Sequence, residues 1–341
     1  MKRAIFMFLG MLCLQSTAWS QNELDALRYS MYDITGTARY IGMGGAFGAL
    51  GADLTSLSQN PAGIAMYRRS EFGFTMGFGN TSATSSYAGG GLTSTDNSFG
   101  FNNMGMVGSY PTESEEIPRL NFGVAYNKLA NFNEEFTIQG TVENTSLLDV
   151  FVAQANGVNP DDVTDAFPFS AGLAYQTYLI NPLDSSGSNE YYHEIEFGNV
   201  EQTKSVERSG SMGETVLSGG VNVSDKYYFG LTLGFPSIRF EESSLYKEGN
   251  LAPGLELDNY TFRENLVTSG SGFNVKAGVI VRATNWMRLG AAIHSPTWLN
   301  MSEFYDRSMT SYFKGEEPYS WDSPAGEYFY RITTPARYMA N

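Results

Sequence analysis

Cysteine is almost missing from this 341-residue chain. The single one, Cys13, falls inside an amino-terminal segment that reads as a removable leader. Without it the chain can form no disulfide, offers no thiolate nucleophile and holds no Cys-based metal site. Small secreted domains usually rely on disulfides, so something else must hold this one together. Positive charge is also scarce. Without Lys2 and Arg3, 19 basic residues face 36 acidic ones, a formal charge of −17, which argues against a nucleic-acid partner. There are two histidines, His193 in a charged stretch and His294 before Pro296, and no Gly-x-Ser-x-Gly elbow. A catalytic triad is therefore not expected, and neither is an enzyme or a bound cofactor. Beyond the leader no apolar run is long enough for a transmembrane helix, and mean hydropathy is −0.24.

The leader has a layout of its own. Met1-Lys2-Arg3 forms a positive head, Ala4 to Leu14 an apolar stretch, and Ala18-Trp19-Ser20 a peptidase-like triplet before Gln21. The apolar stretch is shorter than the roughly 20 residues that a spanning helix needs. Cys13 lies where a lipidated cysteine could sit. However, Leu12 stands before it instead of a small residue, so lipidation is not expected.

Glycine (37), phenylalanine (23) and tyrosine (21) are abundant. Many aromatics and glycines without a long apolar run suit an all-β transmembrane antiparallel barrel, in which only every second residue meets lipid. Period-two alternation supports this. Phe72, Phe74, Met76 and Phe78 alternate with Gly73, Thr75, Gly77 and Gly79. Similar runs hold Leu120 to Asn127, Tyr227 to Phe235, Phe273 to Arg282 and Met287 to His294. Weaker segments lie near 132–141, 168–179, 190–199, 213–223 and 325–333, so ten strands of about 9–12 residues are expected. The connections read as long and short in turn. Long ones lie at 80–118, 142–167, 237–270 and 296–324, an intermediate one at 200–212, and tight turns at 128–131, Ser224-Asp225-Lys226, Thr284-Asn285-Trp286 and Thr334-Pro335. Short turns at one end and long loops at the other are what outer-membrane barrels show. The chain ends at Tyr338-Met339-Ala340-Asn341, where an eleventh strand should begin. The expectation is a barrel without its last strands, since single-chain bacterial barrels have even strand numbers.

Residues 21–69 do not read as strands. Gly36 to Leu50 is rich in small residues, Asp53 can cap a short helix through Leu54 and Leu57, and Pro61 should end it by pushing Asn60 away from helical torsions. The glycines lack the lysine or the preceding strand of a phosphate-binding loop. Close backbone packing inside a barrel is the better use for them.

The run Ala38-Arg39-Tyr40-Ile41-Gly42-Met43-Gly44-Gly45-Ala46-Phe47, then Asp53, then Gln59-Asn60-Pro61-Ala62-Gly63-Ile64-Ala65, resembles the amino-terminal hatch of the FadL-type long-chain fatty acid transporter family, in the style of its Bacteroidetes branch. The detailed match covers about 40 residues; beyond it only the strand-and-loop pattern agrees. The resemblance implies a leader (1–20), a hatch (21–69) and a 14-stranded barrel (70–341), of which about ten strands are complete. It implies passive outer-membrane transport of hydrophobic small molecules: capture in an apolar lumenal pocket, hatch movement, and sideways release at a kinked third strand. Gly44, Gly45, Phe47, Asn60, Pro61 and Ala62 are the hatch residues it carries over. The third strand would be about 132–141, where Asn133-Glu134-Glu135 interrupts the alternation; a strand starting near Phe136 reads as well. The implied protein is a monomer in the outer membrane, with lipid and lipopolysaccharide around it and no metal. Acidic loop positions such as Glu113, Glu115 and Glu116 would be solvated or bridged to lipopolysaccharide by divalent ions. Two other roles fit the same composition: a barrel anchoring a binding or secretion partner, and haem or porphyrin uptake.

Overall fold

A computed structural model describes residues 23–183, 189–195, 198–249 and 251–341, so the leader lies outside the described residues. The chain divides into two compact units, Met1–Tyr32 and Asp33–Asn341. The described part of the first is one helix, α1 (Glu23–Ser30). The second holds both the rest of the small-residue segment and a large antiparallel sheet.

In the second unit α2 (Ala38–Gly42), α3 (Ser56–Gln59) and a 3-10 helix (Pro61–Met66) come first. The sheet follows as β1 (Glu71–Tyr87), β2 (Gly90–Pro111), β3 (Arg119–Asn131) and β4 (Glu134–Glu143). Then come α4 (Leu148–Ala155), α5 (Val163–Ala166), α6 (Ala171–Gln176) and a two-residue ladder, β5 (Asn181–Pro182) with β6 (Tyr191–Tyr192). The remaining strands are β7 (Asn199–Val223), β8 (Tyr227–Gly249), β9 (Leu257–Arg282), β10 (Arg288–His294), β11 (Trp298–Phe313), β12 (Tyr319–Asp322), β13 (Gly326–Thr333) and β14 (Arg337–Ala340).

Several of these strands are pieces of one track. β3 pairs with the lower half of β7 and β4 with its upper half, so together they form one broken strand. β10 and β11 share one side of β9 in the same way, with Pro296 at the break. β12, β13 and β14 follow along the β10/β11 track, interrupted at Pro324 and Pro335, which lack the N–H a ladder needs. The tracks are thus β1, β2, β3/β4, β7, β8, β9, β10/β11 and β12/β13/β14. Among the described residues the sheet does not close: β1 pairs only with β2, and the last track pairs on one side.

This corrects the expected ten short strands. Residues 80–118 are not a loop but the upper part of the β1–β2 hairpin, turned at Ala88-Gly89, plus a short turn. The supposed loops 200–212, 237–270 and 296–324 are mostly strand as well, in β7, β8, β9 and β11. Polar residues such as Thr93, Ser94, Thr95 and Asp96 hide these extensions, because backbone pairing needs no apolar face. Conversely, 168–179 holds α6, the described residues of 190–199 hold as strand only Tyr191-Tyr192 and the first residue of β7, and 142–167 is partly helical. The tight turn at Ser224-Asp225 is as expected. Both residues have positive φ, the primed geometry that matches the twist of a hairpin.

The alternation sorts the two faces cleanly. Phe72, Phe74, Met76 and Phe78 on β1, Leu120 and Phe122 on β3, and Phe229, Leu231, Leu233 and Phe235 on β8 all point outward and are exposed. Phe78 is 89% exposed and Phe122 57%, far outside the range of a soluble core. The other face carries Asn121, Asn127, Glu214, Thr232, Asn274 and Lys276, all buried. The residues toward solvent on these strands are large and apolar, while the buried face mixes polar groups with apolar ones such as Val107, Ala125 and Val216.

What buries the polar face is the segment from Asp33 to Tyr67. Leu54, Leu57 and Ile64 pack against Val107, Ala125 and Val216. Asn121 Nδ2 donates to Ile64 O (2.7 Å) and Tyr67 O (3.0 Å), and Thr232 Oγ1 to Leu57 O (3.1 Å). Gly220, Gly230 and Gly278 are cross-strand partners, forming one row over β7, β8 and β9. A Cβ on Gly230 would strike the Pro61 carbonyl, and one on Gly278 would strike Asn60 Oδ1. The row is a bare floor on which the segment's backbone rests. Gly230→Val should therefore dislodge 33–67 while leaving strand content unchanged. Limited proteolysis should then cut this segment at least tenfold faster, against unaltered far-UV dichroism; an unchanged cleavage rate would refute the floor.

Candidate functional site

Asn60 is the hub of the segment on the floor. Pro61 cannot continue α3, so Asn60 turns extended (φ −127°, ψ 104°), and its side chain caps the following 3-10 helix at Ala62 N. Its Nδ2 donates to Gly48 O (2.5 Å) and reaches Val279 O on the wall (3.5 Å). One buried amide thus ties the glycine loop, the Pro61 turn and β9 together. Gly44 and Gly45 have φ of 61° and 78°, which glycine adopts without a Cβ penalty. They bring Gly45 O to Gln59 Nε2 (2.8 Å). Phe47 is fully buried, its ring 5.5 Å from that of Tyr40 and under the Arg39 guanidinium at 5.0 Å. Asp53 accepts from Thr37 Oγ1 (2.7 Å) and Thr55 N (2.9 Å), but it does not cap α3 as expected: that helix starts at Ser56, after Leu54, with Thr55 as its N-cap and no side-chain capping bond. All six residues therefore lie in one connected segment, 33–67, on the buried face of the sheet, called the plug for its position alone.

Beside the plug lies a buried ion pair. Glu214 of β7 accepts from the Lys276 ammonium of β9 and from Asn274 Nδ2 (2.9 Å), and both charged side chains are almost wholly enclosed. His294 Nε2 contacts Gln59 O (2.8 Å), so the plug is also held from β10. Such a pair adds little net stability, yet removing one partner leaves a buried charge unmatched.

Above the plug the inner face turns apolar. Met212, Ile238, Gly270 and Met301 are successive cross-strand partners across β7, β8, β9 and β11. The next row carries Phe240. Above it are ion pairs, Arg208 with Glu134 (2.9 Å) and Glu242 (2.6 Å), and Arg307 with Glu264 (2.9 Å). The result is an apolar belt between two polar layers.

The third track breaks where this belt meets it. Phe132 leaves the ladder between β3 and β4 and sets its ring edge-on against Phe240, 5.6 Å away. Asn133 Oδ1 accepts from Gly210 N (3.0 Å), and Gly210 has φ of 110°, so the break is built into both strands. Neither reading of Asn133-Glu134-Glu135 holds as expected: the interruption is at 132–133, and Glu134 and Glu135 of β4 already pair with Arg208 and Glu207 of β7. Next to it is a cavity of about 170 Å³ lined by Thr35, Phe78, Gly100, Asn102, Lys128 and Asn131. The Lys128 ammonium bonds Asn131 Oδ1 (3.2 Å); among the described residues no carboxylate lies within ion-pair distance of it. A Cβ on Gly100 would come within 2.8 Å of that ammonium, so the glycine leaves room for it.

Residues 144–183 and 189–195 cover the upper part of the inner face. Phe151 of α4 packs edge-on to Phe262 (5.7 Å), and Ser311 Oγ donates to Thr177 O (2.7 Å). Glu248, fully buried, accepts from Ser146 Oγ (2.5 Å), Leu147 N (2.8 Å), Gln202 Nε2 (3.0 Å) and Tyr246 OH (2.5 Å). Asp149 contacts His193 Nε2 (2.9 Å) and accepts from Ser146 N (2.8 Å). Partial burial opposes its ionisation, but these hydrogen bonds outweigh burial and hold the carboxyl below its usual range. Because the folded value is depressed, the contribution is present above the unfolded carboxyl value and lost as pH falls through the folded one.

Lys276 and Asn274 were visible as polar positions on an otherwise apolar strand, which is the usual mark of an inward face. Nothing in the local sequence around Lys128, Phe132 or Phe240 singles them out, since their meeting depends on register between distant strands. No family model matches this chain, and neither a curated protein nor a solved structure matches it.

Two substitutions test the buried layer. Lys276→Met should cost about 3–5 kcal/mol in urea unfolding, because Glu214 is left as an unpaired buried charge. The double variant Glu214→Gln with Lys276→Met should recover most of that loss. Equal destabilisation by single and double variants would show that the pair does not act as a unit.

Proposed function

We propose that the chain forms the wall and plug of an outer-membrane β-barrel that passes hydrophobic small molecules, such as long-chain fatty acids, without chemistry. The observation that carries this reading is the broken third strand. At that point Phe132 sets its ring against Phe240 of the apolar belt, and a small cavity is lined by Asn131, the residue before Phe132. The exposed apolar outer face supports a lipid setting, since lipid covers such a face without cost. A barrel also requires partners for the free edges of β1 and the last track, because lipid satisfies no unpaired backbone group.

On this reading a ligand enters from the end covered by 144–183 and 189–195. It rests against Met212, Ile238, Phe240 and Met301, and leaves sideways past Phe132. Each buried CH₂ contributes about 0.8 kcal/mol, so a belt of this kind holds an alkyl chain by burial alone. Asn60-Pro61-Ala62 is the joint that must loosen if the plug shifts. Lys128, half-buried beside the break with no carboxylate partner among the described residues, gives a charged head group a place to pause.

Purification in mild detergent followed by mass spectrometry of co-purified lipophiles tests the function directly. Hydrocarbon-chain compounds at near one per chain are expected; a stoichiometric protein partner in their place would overturn transport. In uptake assays Asn60→Ala should change the rate of a fluorescent hydrophobic probe several-fold. It removes the amide linking plug to wall, worth about 1–3 kcal/mol when its buried partners stay unsatisfied. An unchanged rate would remove the gating role of the plug.

A further inference from the structure

Outside the wall, behind the part of the sheet that carries the plug, the exposed face is not smooth. A groove of about 860 Å³ crosses β1, β2, β3, β7 and β8 near the end with the short turns. Its floor follows from register. Gly108, Phe122, Gly219 and Leu231 are successive cross-strand partners, so two positions in one outward row carry no side chain. The row above holds Met106, Val124, Leu217 and Leu233 as partners, and the row below starts from Tyr110 and Leu120. Phe122 leans over Gly219, where an added Cβ would lie 3.5 Å from its ring, and the Tyr110 ring lies beside Gly108. Between the outer rows the groove extends four residues along a strand, about 13 Å at the usual rise.

Cations stand at its lower rim. Arg68 and Arg69 are exposed and directly precede Ser70, Glu71 and Phe72, which line the groove. Among the described residues neither arginine forms an ion pair. Lys226, in the β7–β8 turn below, lies 5.4 Å over the Tyr227 ring. An apolar trough with two exposed arginines next in sequence to its Ser70-Glu71-Phe72 edge, which outnumber the Glu71 carboxylate there, matches a molecule with an alkyl chain and an anionic head at one end.

We propose that this groove is a site for one anionic phospholipid, its acyl chain lying over Gly108 and Gly219 and its phosphate at Arg68 and Arg69. The inference rests on the lipid-embedded reading above and goes beyond it, because bulk lipid needs neither the missing side chains nor the paired arginines. A held chain fills a trough that mobile neighbours would leave poorly packed. The wall it braces is the one whose inner side, at Val107, Ala125 and Val216, receives Leu54, Leu57 and Ile64.

The full chain, reconstituted in nanodiscs of mixed dioleoyl-phosphatidylglycerol and dioleoyl-phosphatidylcholine, is released and weighed by native mass spectrometry. One retained phospholipid per chain is expected, with phosphatidylglycerol favoured at least fivefold over its share of the mixture. Gly219→Leu, which adds only apolar volume on the outer face, should lower retention several-fold. Arg68→Gln with Arg69→Gln should keep a retained lipid but abolish the head-group preference. Strand content by circular dichroism checks that each variant folds. Insertion without a retained lipid, or retention unaffected by Gly219→Leu, overturns the site and leaves the membrane reading standing. Failure of the wild-type chain to insert overturns both.

Discussion

Close contact between two backbones, the Asn60-Pro61-Ala62 turn and the Gly220-Gly230-Gly278 row, is the constraint from which the rest of the inner face follows. A side chain at any of the three glycines would hold the turn off the wall. With the turn seated, Asn60 reaches both Gly48 O and Val279 O, and His294 reaches Gln59 O. Some polar groups of the sheet, such as Asn121 Nδ2, Asn127 Nδ2 and Thr232 Oγ1, then find partners on this segment, and others, such as Glu214, Asn274 and Lys276, find them in one another. A buried polar face is stable only under that condition, since each unmatched group would cost about 1–3 kcal/mol.

The mixed character of the buried face has a second consequence. Glu214 and Lys276 would be a liability in the interior of an ordinary domain, where a packed apolar pair is often as stable or more so. Here they sit under the plug within a network including Asn274, so neither charge is alone. Above them the inner face becomes apolar for one belt before charge returns at Arg208, Glu242 and Arg307. On the proposed reading a belt between two polar layers holds an apolar guest, and Phe132 at the break sets its ring against that belt at Phe240.

Each of the four breaks, in three of the tracks, has a chemical cause. Proline interrupts the β10/β11 track and the last one, because it removes a ladder donor. The third track breaks without proline. Gly210 takes a left-handed torsion on the partner strand, and the Asn133 side chain takes over its N–H. A break made by side-chain capture in this way can reform its ladder bond, whereas a proline break cannot.

The sequence by itself determined the strand faces and the chemistry of the plug. Period-two alternation shows which residues point outward on β1, β3, β8, β9 and β10, because a pleated strand has no other way to place them. Asn60-Pro61 ends α3 as expected from torsional sterics alone, and the Ser224-Asp225 turn follows from hairpin geometry. Strand length and count were not determined locally. Where both faces are polar, as at Thr93 to Asp96, a paired strand and a loop have the same composition, and only a neighbouring strand decides between them. The same holds for the site. Lys128, Phe132, Phe240 and the Met212-Ile238-Gly270-Met301 row are brought together by cross-strand register. Register is a relation between segments tens of residues apart, and no single segment carries it.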